Sequence, residues 1–147
     1  MQRWADRLSA AAALGDLGTA KMILENGTNP NAINSCGRTA IQVMMMGSPK
    51  MAQLLLAHSA DPNMRDPRTG RTPAHDAASE GFLDTLVVLL KGNAHIHIPD
   101  IWGKLPMDLA SDQMVADLQS RGILSSAKHL IMQETMGIMY KCHDHSI

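Results

Sequence analysis

Apolar residues fall along this chain in short clusters at helical spacing, divided by polar turns that contain glycine. Leu8, Ala11, Ala12 and Ala13 make one small apolar face, and Ala20, Ile23 and Leu24 make the next. Gly15-Asp16 divides them, with Asp16 placed to cap the second helix, and Gly27 stands where a left-handed C′ residue belongs. After Thr39, a plausible N-cap, a short helix is expected over Ile41–Met46, stopped by Gly47. Ser48-Pro49 opens the next helix as N-cap and N1, and Met51, Leu54, Leu55 and Leu56 supply its buried side. Thr72-Pro73 starts another, with Ala77-Ala78 small enough for close helix packing. Gly81 turns the chain, and Leu86, Val87, Leu89 and Leu90 form the paired helix, which Gly92 ends. A last pair spans Leu105–Ala110 and Met114–Leu118. Its cap is damaged, because Leu105 stands where Thr39 and Thr72 stand, and no glycine divides its helices, so this unit is open to partial unfolding.

The turns repeat. Gly37-Arg38-Thr39, Gly70-Arg71-Thr72 and Gly103-Lys104-Leu105 recur every 33 residues. That is the period of an ankyrin repeat, and Thr72-Pro73-Ala74-His75-Asp76-Ala77 is close to the repeat's T-P-L-H-x-A signature. Gly47 comes one residue sooner after its turn glycine than Gly81 does, so the second repeat has lost a residue in its first helix. The loop from Asn63 to Gly70 is one residue longer, which restores the spacing. The expected fold is an all-α ankyrin solenoid of about four helix-turn-helix repeats joined by β-turn loops. The domain covers 1–122, with repeats at about 4–33, 34–66, 67–99 and 100–122. Gly37, Gly70 and Gly103 are its turn positions, Thr72 a cap, and His75 the histidine that ties adjacent turns. In 123–147, Ile123, Ala127, Leu130 and Ile131, continued by Met132, Met136 and Met139, suggest a capping helix; a disordered tail is the alternative.

Composition narrows the function classes. Thirteen basic and fourteen acidic residues among 147 leave a net charge of −1, which offers no basic footprint for nucleic acid. No run of 18 apolar residues is present, so no membrane partner is expected. Cys36 and Cys142 lie far apart, which favours a reducing compartment, and a cytoplasmic and nuclear location is expected. Nucleophile-elbow, phosphate-loop and zincin motifs are lacking, so the expectation is a non-enzyme without cofactors or metals. Cys142-His143-Asp144-His145 and His95-x-His97 have no further ligands at structural spacing. A solenoid offers an elongated concave surface to a macromolecule, so a monomeric binding protein is the leading expectation.

Two segments carry a more specific resemblance: Ile41-Gln42-Val43-Met44-Met45-Met46-Gly47-Ser48 and His75-Asp76-Ala77-Ala78-Ser79-Glu80-Gly81-Phe82-Leu83-Asp84-Thr85-Leu86-Val87-Val88-Leu89. Asp100-Ile101-Trp102-Gly103-Lys104-Leu105-Pro106-Met107-Asp108-Leu109-Ala110 extends it. Over about 4–118 the chain resembles the ankyrin-repeat inhibitors of the cyclin-D-dependent kinases, the four-repeat tumour-suppressor type most of all. The shortened first helix of repeat two is a hallmark of that family. The resemblance implies binding to the catalytic subunits of cyclin-dependent kinases 4 and 6, beside the ATP cleft and opposite the cyclin site. It implies misaligned kinase lobes, weakened cyclin pairing and ATP use, and restraint of G1/S progression. The chain departs from the family's pattern at Gly18 and at Ser79, where an arginine is usual.

Asp76, on the first helix of repeat three, is the leading contact; by the resemblance it pairs with a kinase arginine. Its ordinary alternative is a solvated carboxylate near a helix N-terminus. Asp66 is a second candidate, or an Asx-turn residue. Met44 and Met45, with Met46, occupy a helix too short to bury all three, so at least one is expected to face the groove. Gln42 beside them is a polar candidate, and Asp84 either caps the second helix or touches the partner. Phe82 and Trp102 are expected to pack on neighbouring segments. The competing function is a general ankyrin scaffold whose kinase grip has weakened or been lost.

Overall fold

The computed structural model describes residues 2–124. Eight helices run in order through them: α1 (Gln2–Leu14), α2 (Leu17–Glu25), α3 (Ala40–Val43), α4 (Pro49–Ala57), α5 (Pro73–Glu80), α6 (Leu83–Lys91), α7 (Pro106–Leu109) and α8 (Asp112–Ser120). α1–α2, α3–α4 and α5–α6 pair as helical hairpins, and α7 and α8 follow as a fourth, shorter unit. The first helices of the hairpins form one layer, α1 packing on α3 and α5 on α7, and α2, α4 and α6 stack as the other. The expected all-α solenoid is the fold observed.

Local chemistry sets the hairpins. Asp16 caps α2, its carboxylate accepting from the Thr19 amide at 3.1 Å and the Thr19 hydroxyl at 2.7 Å. The Ser48 hydroxyl caps α4 by accepting from the Met51 amide at 3.1 Å, and Ser111 caps α8 the same way through Met114. One apolar cluster runs from Leu8 through Ile23, Ile41, Met51, Leu55, Leu86 and Leu90 to Leu118 and Leu124. Leucine, alanine and methionine do most of this packing, and the alanines of α5 let α6 and α7 approach it. The face expected of α1 is narrower than its sequence suggests, since Ala11 and Ala12 are buried but Ala13 is exposed.

Repeat two departs most from expectation. Its first helix ends at Val43 and not at Met46. Met44 takes an extended conformation (φ −57°, ψ 158°), and the chain crosses to α4 as a loop. Neighbouring repeats hold that loop: the Met45 amide donates to the Ala12 carbonyl at 2.9 Å, and the Thr85 hydroxyl donates to the Met46 carbonyl at 2.6 Å. A helix one residue short cannot reach the turn before α4, and bonds to α1 and α6 replace those the lost turn would have made.

Repeat four is better built than its sequence suggests. Leu105 has no side-chain acceptor, so only half a capping box survives, the Asp108 carboxylate accepting from the Leu105 amide at 2.8 Å. Even so, Met107, Met114 and Leu118 are buried. Two left-handed helix ends fall on non-glycine residues, Ser59 (φ 72°) and Asn93 (φ 75°). The α6 terminus therefore turns at Asn93, after Gly92, whose φ is −90°. The tail and its Cys142–His145 segment lie outside the described residues, apart from Ile123 and Leu124.

Candidate functional site

Helix α5 is built so that one stripe stays open. Ala74, His75, Ala77 and Ala78 are buried, whereas Asp76, Ser79 and Glu80, at i, i+3 and i+4, share the side that faces away from the core. Thr72 and His75 fix the start of the helix. His75 Nδ1 accepts from the Thr72 amide at 3.0 Å and pairs with its hydroxyl at 2.8 Å. Nε2 must then carry the ring proton and donate to the Lys104 carbonyl of the next repeat, 2.9 Å away. Burial keeps the imidazole neutral by lowering its pKa below the ordinary value, more than the bond to Lys104 raises it.

Asp76 follows His75 on this fixed frame. Burial of the carboxylate pushes its pKa up to about 6, against the opposing pull of Arg71 and with a further push from Glu80 and Asp66. The Arg71 guanidinium is near but poorly aligned, Nε lying 3.4 Å from Asp76 Oδ1. Arg71 Nη2 is committed elsewhere, donating to the His75 carbonyl at 3.2 Å. Asp76 is thus a partly desolvated carboxylate with an incomplete counter-charge, an arrangement that favours an added cationic partner.

Asp66 behaves differently. Its Oδ2 accepts from Arg38 Nε at 2.9 Å and its Oδ1 from the Arg68 amide at 2.8 Å. The bond to Arg38 holds its pKa below the ordinary carboxylate value. Asp66 therefore closes its own loop and bridges repeats two and three. Gln42 is also occupied: its Oε1 accepts from the Thr39 amide at 2.7 Å and hydroxyl at 3.2 Å, as His75 does from Thr72. Its buried Nε2 has no partner.

The methionine patch is corrected in part. Met44 is 3% exposed and belongs to the core, because the helix that was to turn it toward the groove has already ended. Met45 remains 46% exposed and lies over Gly15, where an added methyl would come within 3.0 Å of its sulfur. Asp84 sits in the first turn of α6 but is not its cap, and its exposed carboxylate is 3.7 Å from Arg121 Nη1. Phe82 packs against Gly47. Trp102 does not bury itself on the next loop as expected; it is 65% exposed at the turn tip, where its neighbour Ile101 packs over Gly70.

The structure brings Asp76, Arg71, Asp66 and Arg38 into one charged cluster and leaves Met45 and Asp84 outside it. Sequence reasoning missed the two arginines. Their signal is present: each follows a turn glycine, at Gly37-Arg38 and Gly70-Arg71, at the repeat spacing.

A family model for ankyrin repeats in three copies matches residues 8–100. The chain is 54% identical over 111 residues to cyclin-dependent kinase 4 inhibitor B of Rattus norvegicus, covering 76% of this chain and 85% of that protein. It is also 54% identical over 112 residues to cyclin-dependent kinase inhibitor 2A of Homo sapiens, covering 76% and 72%. A more distant likeness, 34% over 105 residues, is to tyrosine-protein kinase HTK16 of Hydra vulgaris, of which it covers only 14%.

Proposed function

The chain belongs to the ankyrin-repeat family of cyclin-dependent kinase inhibitors, and on that premise we propose that it binds the catalytic subunits of cyclin-dependent kinases 4 and 6 and keeps them from productive cyclin pairing. The observation that carries this is Asp76, a partly buried carboxylate on the open stripe of α5 with only an imperfect internal partner. A kinase arginine set against it would form a charge-assisted pair in a largely desolvated site. Kinase catalysis requires its lysine–glutamate pair and its metal-binding aspartate to be aligned together. A protein that binds the misaligned state more tightly shifts the population toward it, in proportion to the difference in affinity, without touching the nucleotide. Regulation of this kind needs no catalytic group in the inhibitor, and a cytoplasmic and nuclear location suits it.

The purified chain is expected to prevent D-type cyclin from assembling with free kinase subunit in a competition assay. Assembly that proceeds unhindered at saturating chain would refute the proposal. A second function, an ankyrin scaffold with a weakened kinase grip, is favoured by the internal use of Met44, Gln42 and Asp66. Capture of the chain by an unrelated partner, with kinase binding absent, would select it.

A further inference from the structure

Arg38 and Arg71 occupy the same place in successive repeats, yet their side chains run in different directions. Arg38 reaches forward to the next repeat and bonds Asp66 at 2.9 Å. Arg71 turns back onto its own helix. Its Nη2 bonds the His75 carbonyl, and its Nε stops 3.4 Å from Asp76 Oδ1, buried and without a hydrogen-bond partner. A guanidinium N–H that has lost water without gaining an acceptor carries a desolvation cost. The carboxylate beside it stays above its ordinary pKa although a cation is close. The two charges are near enough to screen each other and too poorly aligned to make a strong bond. The loop carboxylate that Arg71 would meet by reaching forward as Arg38 does to Asp66 is Asp100, whose Oδ1 accepts from the amides of Trp102 and Lys104 at 2.9 and 2.8 Å.

We propose that Arg71 is an affinity-setting residue of this surface, an internal competitor that screens Asp76 in the free chain and gives way when a kinase arginine arrives. This rests on the kinase-binding function proposed above. Arg71 acts through Asp76 and not by contact of its own, so its effect must vanish when the Asp76 charge is removed.

The test is binding of wild type, Arg71→Gln, Arg71→Lys, Asp76→Asn and the Arg71→Gln/Asp76→Asn double variant to isolated kinase subunit at pH 7.5 and low salt. Thermal unfolding confirms that each is folded, and Arg71→Met replaces Arg71→Gln if that variant does not fold. Arg71→Gln should bind about 3- to 10-fold more tightly, since the charge that screens Asp76 is removed. Arg71→Lys should stay near wild type, and the double variant should bind no better than Asp76→Asn. Wild-type binding with no gain in Arg71→Gln overturns this inference alone, as does a gain that persists without the Asp76 charge. Binding by neither wild type nor Arg71→Gln overturns the proposed function along with it.

Discussion

His75 and Asp76 are adjacent residues whose burial has opposite consequences. For His75 the folded pKa lies below the usual 6.5, so the unfolded chain binds the proton more tightly and stability is lost as pH falls through that range. For Asp76 the folded pKa of about 6 lies above 3.8, so the folded chain binds the proton more tightly and stability falls as pH rises between them. Urea midpoints from pH 4 to 7.5 should show that Asp76→Asn removes the second dependence and leaves the first. A wild-type and Asp76→Asn difference that does not change with pH would contradict the burial assigned to this carboxylate. In kinase binding, Asp76→Ala should cost roughly 2–5 kcal/mol, because it leaves a partner's charge buried and unpaired. Unchanged affinity in a folded Asp76→Ala chain would remove Asp76 from the interface. The position of Asp76 was legible, since the Thr-Pro-Ala-His-Asp-Ala pattern places it one residue beyond the buried histidine. The direction of Arg71 was not, because a long side chain chooses between acceptors that only the folded stack brings near.

At the level of elements, repeat two shows what one missing residue does. The deletion could be counted from glycine spacing, but not which residues would unwind. That depended on Ala12 and Thr85, which come from the neighbouring repeats. Met44 was misplaced for the same reason. Gln42 stands where repeat three has His75, and it completes only the half of the role that holds its own cap. Gln42→His should supply a ring donor directed toward the next loop and raise stability by about 0.5–1.5 kcal/mol, the worth of one hydrogen bond. An unchanged or lower urea midpoint would show that repeat two lacks the acceptor geometry of repeat three. The turn glycines should also differ. Gly70 (φ +70°) has Arg65 Nη2 at 2.8 Å and the Ile101 backbone nitrogen at 3.2 Å from where a Cβ would sit, whereas Gly103 (φ +79°) faces open space. Gly103→Ala should cost about 1 kcal/mol for the left-handed backbone, and Gly70→Ala about 2–3 kcal/mol, since crowding adds to it. Equal costs would mean that the contact between the two loops gives way freely.

The described residues form a short stack in which each hairpin is supported chiefly by its neighbours, so stability divides among interfaces. The inner helices of repeats two and four are four residues each, and the loop of repeat two hangs on bonds from repeats one and three. Native-state hydrogen exchange should therefore show separate opening, with repeats two and four exchanging before α5 and α6. Uniform protection from Leu8 to Leu118 would contradict this. The 33-residue period made the solenoid legible because it constrains every repeat alike, whereas the groove's charge pairing depends on single side chains.

The most direct test is calorimetric titration of isolated cyclin-dependent kinase 4 or 6 subunit with wild-type chain and with Asp76→Asn. The proposed function predicts saturable one-to-one binding by wild type and at least ~30-fold weaker binding by Asp76→Asn, the lower end of the cost of unpairing a buried charge. Equal binding by two folded chains, or no binding by either, would contradict the account.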